Sequence, residues 1–176
     1  AISKDETWRI VPSRFLHHFP YVPLAEGDKI DVGTLEIDIL ETPGHCFDHI
    51  ALHLPQSGDV LVGDTVMAWS STAIVQPEGD MEHYRQSLRK IYKLNAQCLH
   101  PTHGSPIDDP KGRLSQLMKH RYKRETEIFS HLGDAPMPIH EIRALIYPDL
   151  PENLYAGAET SILSHLIDLN KRGCAL

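Results

Sequence analysis

Three short turns in this sequence carry side chains able to hold a metal ion: His45 in Thr42-Pro43-Gly44-His45, Asp64 at the end of LVGD, and His103 in Pro101-Thr102-His103-Gly104. Each follows an apolar, β-rich run, so each is expected at a strand end, where Pro and Gly bend or stiffen the backbone and the side chain projects above the sheet edge. A single loop histidine, or a single aspartate capping a turn, is more often structural. Two imidazoles and a carboxylate delivered from separate strand ends are different, because they form the mixed nitrogen and oxygen donor set that zinc prefers. Gly63 is expected to let another backbone come close to Asp64. Asp48 and His49 follow His45 closely enough to orient it or to touch substrate; the alternative is that they are polar residues beginning the next strand. Cys46, beside His45, is expected as a buried neutral thiol and not as a ligand.

The elements that must position these residues follow from periodicity. KIDVG and TLEIDILET read as two strands meeting at Gly33-Thr34, and HIALHLPQ and DVLVGDTV as two more separated by Ser57-Gly58-Asp59. From Asp80 the spacing of Met81, Tyr84, Leu88, Ile91 and Tyr92 changes to that of an amphipathic helix with an aspartate N-cap. A short strand, QCLH, leads to His103. A second helix is expected over about residues 110–132, its apolar stripe made of Leu114, Leu117, Met118, Tyr122, Ile128, Phe129 and Leu132. The run Lys119, His120, Arg121, Lys123, Arg124 is expected to be a solvated face paired with Glu125 and Glu127. Gly133 and Pro136-Met137-Pro138 mark a junction. Beyond it come a short helix at IHEIRALIY, a longer one over about 151–172, and Cys174-Ala175-Leu176 as the start of a strand. The expected division is residues 1–134 and residues 135–176.

With 176 residues, a formal charge of −7 and no long apolar run, the chain shows neither a membrane-spanning segment nor a general attraction for nucleic-acid phosphates. Its three cysteines, an odd number at wide spacing, fit neither a disulfide framework nor a CxxC zinc site and are expected as reduced thiols of a cytoplasmic protein.

The order TPGHCFDH, LVGD, PTHG resembles the third to fifth metal motifs of the metallo-β-lactamase superfamily, and KHRYKRETEI with PENLYAGAETSILSHLIDLNKRG is similar to its β-lactamase-like branch bearing a C-terminal winged helix. This implies an α+β fold: the C-terminal half of an αββα sandwich followed by a winged-helix-like helical unit. It also implies that His45 binds one Zn2+, His103 a second, and that Asp64 bridges both and is the catalytic carboxylate, other divalent metals being compatible with the same donors. Such a pair activates water for attack on an ester, thioester or related acyl bond of a small-molecule or acyl-carrier-linked substrate. Two further functions stand beside this one: a metal-dependent single-stranded RNA endoribonuclease, which the acidic charge disfavours, and a non-catalytic winged-helix interaction module. The family's HxHxDH motif is absent, and His17-His18 does not fit it, so the chain is expected to lack an N-terminal portion and the closing strand of the wing. Purified alone, it should show no metal-dependent turnover above a chelated control.

Overall fold

The computed structural model describes residues 23–133 and 135–174. The chain adopts an α+β fold. Five strands form one sheet in sequence order: β1 (Lys29–Val32), β2 (Leu35–Glu41), β3 (Ile50–Leu54), β4 (Asp59–Gly63) and β5 (Cys98–Pro101). The first four pair antiparallel, and β4 pairs with β5 in parallel. This parity decides where the chemistry can lie. Because β2, β4 and β5 run in the same direction, their C-terminal ends, and with them His45, Asp64 and His103, reach the same edge of the sheet.

Period-2 alternation gives each strand one face turned toward the helices. Leu40, Ala51, Val60, Val62 and Leu99 pack there against Tyr84, Leu88 and Ile91 of α1 (Met81–Lys93) and against Leu114 and Leu117 of α2 (Pro110–Ser130). Asp80 caps α1 by accepting from the His83 amide at 2.9 Å, and Asp109 caps α2 by accepting from the Gly112 amide at 2.9 Å. The stripe expected on α2 is corrected in part. Tyr122 and Phe129 are 73% and 50% exposed, whereas Arg121, expected on the solvated face, is 3% exposed.

Beyond α2 lie α3 (Ile139–Ile146), a 3₁₀ turn at Glu152–Leu154, and α4 (Tyr155–Lys171), so the long helix expected from 151 begins as a tighter turn. Ile142, Ile162 and Leu169 form a second apolar cluster with Ile128 of α2, which shows that α2 contributes to both cores. Cys174 lies in a bend; the rest of the strand expected at the C-terminus, Ala175 and Leu176, falls outside the described residues, as does His17-His18. Among the described residues no helix is long and apolar enough to cross a membrane.

The helices are joined by charge. Arg85 of α1 donates to Glu82 at 2.6 Å, to Glu125 of α2 at 3.0 Å and to Asp168 of α4 at 2.8 Å, while Arg172 reaches Glu125 at 2.7 Å and Asp168 at 2.9 Å. Asp168 is almost fully buried. Beside this network, His165 has no exposed surface and neither ring nitrogen finds a partner. Burial, reinforced by the nearby positive charges of Arg121, Arg85 and Arg124, pushes its pKa down from 6.5 to about 3.

A histidine that charges only on unfolding favours the unfolded chain once the pH falls below its unfolded value, because that state then binds the additional proton. His165 therefore costs stability progressively from pH 6.5 down toward about 3. The slope from this group alone approaches about 1.4 kcal/mol per pH unit. Denaturant unfolding of His165→Leu between pH 7 and 5 should show a shallower loss of stability than the parent; parallel profiles would refute the assignment.

Candidate metal centre

The β2 exit is fixed before it reaches His45. The Gly44 carbonyl accepts from the Asp80 amide at 2.9 Å, and the Pro43 carbonyl accepts from the Ser87 hydroxyl at 2.7 Å, so α1 holds the turn from below. Gly44 has φ +137°, and a Cβ there would lie 2.4 Å from the Tyr84 Cα. Only glycine meets both demands.

His45 then turns its Nδ1 to the Ala73 carbonyl oxygen at 2.8 Å. That oxygen only accepts, so Nδ1 carries the proton and Nε2 keeps its lone pair, the tautomer a metal ligand requires. The free Nε2 stands 3.7 Å from Asp64 Oδ2, and His103 Nε2 stands 3.6 Å from the other oxygen, Oδ1. Asp64 Oδ1 is buried and has no hydrogen-bond partner. A bare carboxylate oxygen facing an imidazole beyond hydrogen-bond reach is costly unless something bridges them. Two donors sharing a tetrahedral zinc at 2.0–2.1 Å lie about 3.3 Å apart, so the observed gaps suit a small cation between each pair. His45, Asp64 and His103 fit a metal on this ground, and the two pairs use different carboxylate oxygens.

His49 is drawn into the site differently from expectation. Its Nε2 accepts from the Asp64 amide at 3.1 Å, and its Nδ1 donates to the Thr42 hydroxyl at 2.7 Å, with the Thr65 hydroxyl at 3.1 Å. Burial first, and then the adjacent His45, lower its pKa and keep the ring neutral, as the acceptor role demands. It anchors the backbone of Asp64, not the ring of His45. The close approach allowed by Gly63 is therefore that of an imidazole side chain and not of another backbone: with φ +53°, a Cβ at Gly63 would meet His49 Nε2 at 2.6 Å. Asp48 is exposed and bonds the thiol of Cys46. Desolvation, then this carboxylate, raise the half-buried Cys46 thiol to about 11, which keeps it neutral.

Sequence periodicity missed the supports that lie far along the chain. The Thr72 hydroxyl donates to the Asp64 carbonyl at 2.8 Å. The Thr72 carbonyl accepts from buried Arg121 of α2, and the Ile74 carbonyl accepts from the Ser164 hydroxyl of α4 at 2.6 Å. The carbonyls on either side of Ala73 are thus tied to the two helices that flank it. His103 is brought to Asp64 by the β4–β5 pairing, extended by a bond from the Thr102 amide to the Gly63 carbonyl at 3.2 Å.

Comparison with known proteins gives the family. The sequence profile of the metallo-beta-lactamase superfamily matches residues 3–103, and that of the beta-lactamase associated winged helix domain matches residues 139–175. The chain belongs to the metallo-β-lactamase superfamily. It is 29% identical over 154 residues to the beta-lactamase-like protein 2 homolog of Drosophila melanogaster, covering 86% of this chain and 51% of that protein. It is 30% identical over 105 residues to the atrochrysone carboxyl ACP thioesterase of Aspergillus fumigatus, covering 60% of this chain and 32% of the thioesterase. A beta-lactamase domain protein from Burkholderia ambifaria superposes with a TM-score of 0.79 at 26% identity, over 93% of this chain and 49% of that one. The chain spans about half the length of curated relatives that it matches over most of its own length.

Because Gly63 combines a left-handed backbone with contact against the His49 ring, Gly63→Ala should destabilise the protein by about 1–3 kcal/mol, lowering its melting temperature by several degrees. An unchanged melting temperature would show that the His49 ring does not depend on this gap.

Proposed function

We propose that the whole protein is a divalent-metal hydrolase acting on an ester, thioester or related acyl bond, with His45, Asp64 and His103 among its metal ligands. The observation that carries this is the Asp64 carboxylate between two imidazoles, its Oδ2 facing His45 Nε2 and its unpartnered Oδ1 facing His103 Nε2. Asp64 is suited to join two ions, one through each oxygen, with His45 serving the first and His103 the second. Zinc is the ion whose donor preferences this set meets best. When bound, such ions supply Lewis acidity and lower the pKa of a coordinated water.

The chain's own residues do the rest. Ala73 holds the His45 ring so that Nε2 points at Asp64; His49 fixes the Asp64 amide; and Thr72 fixes its carbonyl. An acyl substrate is supported by the thioesterase among the relatives and by the internal pairing of cations in the basic run. In the basic run, Arg121 is buried, Arg124 lies 4.1 Å over the Tyr147 ring and pairs with Glu127, and Lys123 also reaches Glu127. We take an acyl-carrier-linked or small-molecule thioester as the substrate class.

In the full-length protein, His45→Ala with His103→Ala should lower the bound zinc and abolish thioester turnover. Asp64→Asn should cut thioester turnover by at least about a hundredfold, since loss of groups that merely orient a ligand already costs ten- to a hundredfold. Unchanged zinc content and turnover in these variants would remove the assignment. Single-stranded RNA binding that weakens steeply with salt, together with RNA cleavage, would replace the acyl substrate by a phosphodiester.

A further inference from the structure

A second set of donors lies on the same two strands, away from the edge that carries Asp64. In the parallel β4–β5 pair Asp59 stands opposite Cys98 and Leu61 opposite His100. Alternation puts Asp59, Cys98 and His100 on the face turned away from the helices, since Val60, Val62 and Leu99 fill the opposite one. One donor atom from each of the three residues falls within 4.8 Å of the other two, and His100 Nε2 lies 3.5 Å from Asp59 Oδ1.

The loop after β5 borders this set. Ile107 bridges Leu99 through a reciprocal pair of backbone bonds, Ile107 amide to Leu99 carbonyl at 2.9 Å and Leu99 amide to Ile107 carbonyl at 3.1 Å. This holds Asp108 Oδ1 at 3.7 Å from the Cys98 sulfur. We infer that Asp59, Cys98 and His100 form a transition-metal site of the zinc class, separate from the centre at Asp64.

The donor chemistry selects the ion. A thiol with an imidazole and a carboxylate suits zinc or a similar borderline cation, whereas calcium and magnesium take oxygen donors. Burial, then the charges of Asp108 and Asp59, raise the Cys98 thiol and keep it protonated in the metal-free chain. A divalent cation reverses that balance, and its binding releases the thiol proton to solvent. From Asp59 to Asp64 the strand advances about 3.3 Å per residue, which sets the two centres roughly 15 Å apart. An ion here ties β5, at the end of the described sheet, to β4 next to the register shift between Leu61 and Gly63.

Titration of the purified protein with Co2+ tests this, because a thiolate ligand gives a near-ultraviolet charge-transfer band that imidazole and carboxylate do not. We expect the band to persist in Cys46→Ser and in His103→Ala, to vanish in Cys98→Ser, and the Co2+ affinity to fall at least tenfold in His100→Gln. Should Cys98→Ser fail to fold by circular dichroism, His100→Gln, which keeps the thiol, decides alone. Absence of the band at saturating Co2+, its survival in Cys98→Ser, an unchanged affinity in His100→Gln, or its loss in Cys46→Ser or His103→Ala would each overturn the site. None of these outcomes depends on hydrolysis, so this inference and the proposed activity fail separately.

Discussion

Everything at the sheet edge depends on one short stretch of backbone, residues 72–74. The Ala73 carbonyl sets the proton position and ring orientation of His45. Its neighbours on both sides are held by side chains from different helices, Thr72 by Arg121 and Ile74 by Ser164. A carbonyl in a free loop would sample many directions, and the His45 ring would follow it. Clamping the peptides before and after Ala73 removes that freedom, and the Thr72 hydroxyl carries the same restraint to the Asp64 carbonyl. A charged guanidinium donating to a buried carbonyl is among the stronger hydrogen bonds available, and stranding that carbonyl would cost about 1–3 kcal/mol.

The clamp works only if α4 stays seated. Its seat joins the apolar cluster of Ile162 and Leu169 to ion pairs: Asp168 receives Arg85 of α1, and Arg172 at the end of α4 reaches Glu125 of α2. Buried charge of this kind contributes little net stability compared with an apolar core, yet removing one partner leaves the other stranded, at about 3–5 kcal/mol. Directional ion pairs fix the rotation of α4 about its axis more sharply than apolar packing would, and that rotation decides whether Ser164 meets Ile74.

The strands, the Asp80 cap and the turns at His45, Asp64 and His103 were legible in the sequence because each is specified locally, by period, by Pro and Gly, or by a capping residue. Arg121 was not legible. Within its own helix it belongs to a basic run, and its burial is explained by a carbonyl 49 positions earlier and by the Tyr84 ring of α1. Ser164 and Asp168 interrupt the apolar stripe of α4 for similar long-range reasons. Gly63 signalled a close approach, but its partner, the His49 ring, lies across the sheet edge and could not be read from neighbouring residues.

These contacts bear on whether the C-terminal helices form an independent module. A module evolved for a separate partner would keep polar side chains such as Ser164 on its outer surface. Here Ser164 is 1% exposed, spent on a carbonyl beside the one that orients His45, while Lys171 of α4 reaches Asp80, the N-cap of α1, at 2.8 Å. Asp80 in turn donates its amide to Gly44, one residue before His45. Two independent paths therefore run from α4 to the same histidine, one through residues 72–74 and one through the α1 cap. The helical unit is built into the positioning of the candidate ligands, so its packing and the geometry of the metal edge are one structural problem.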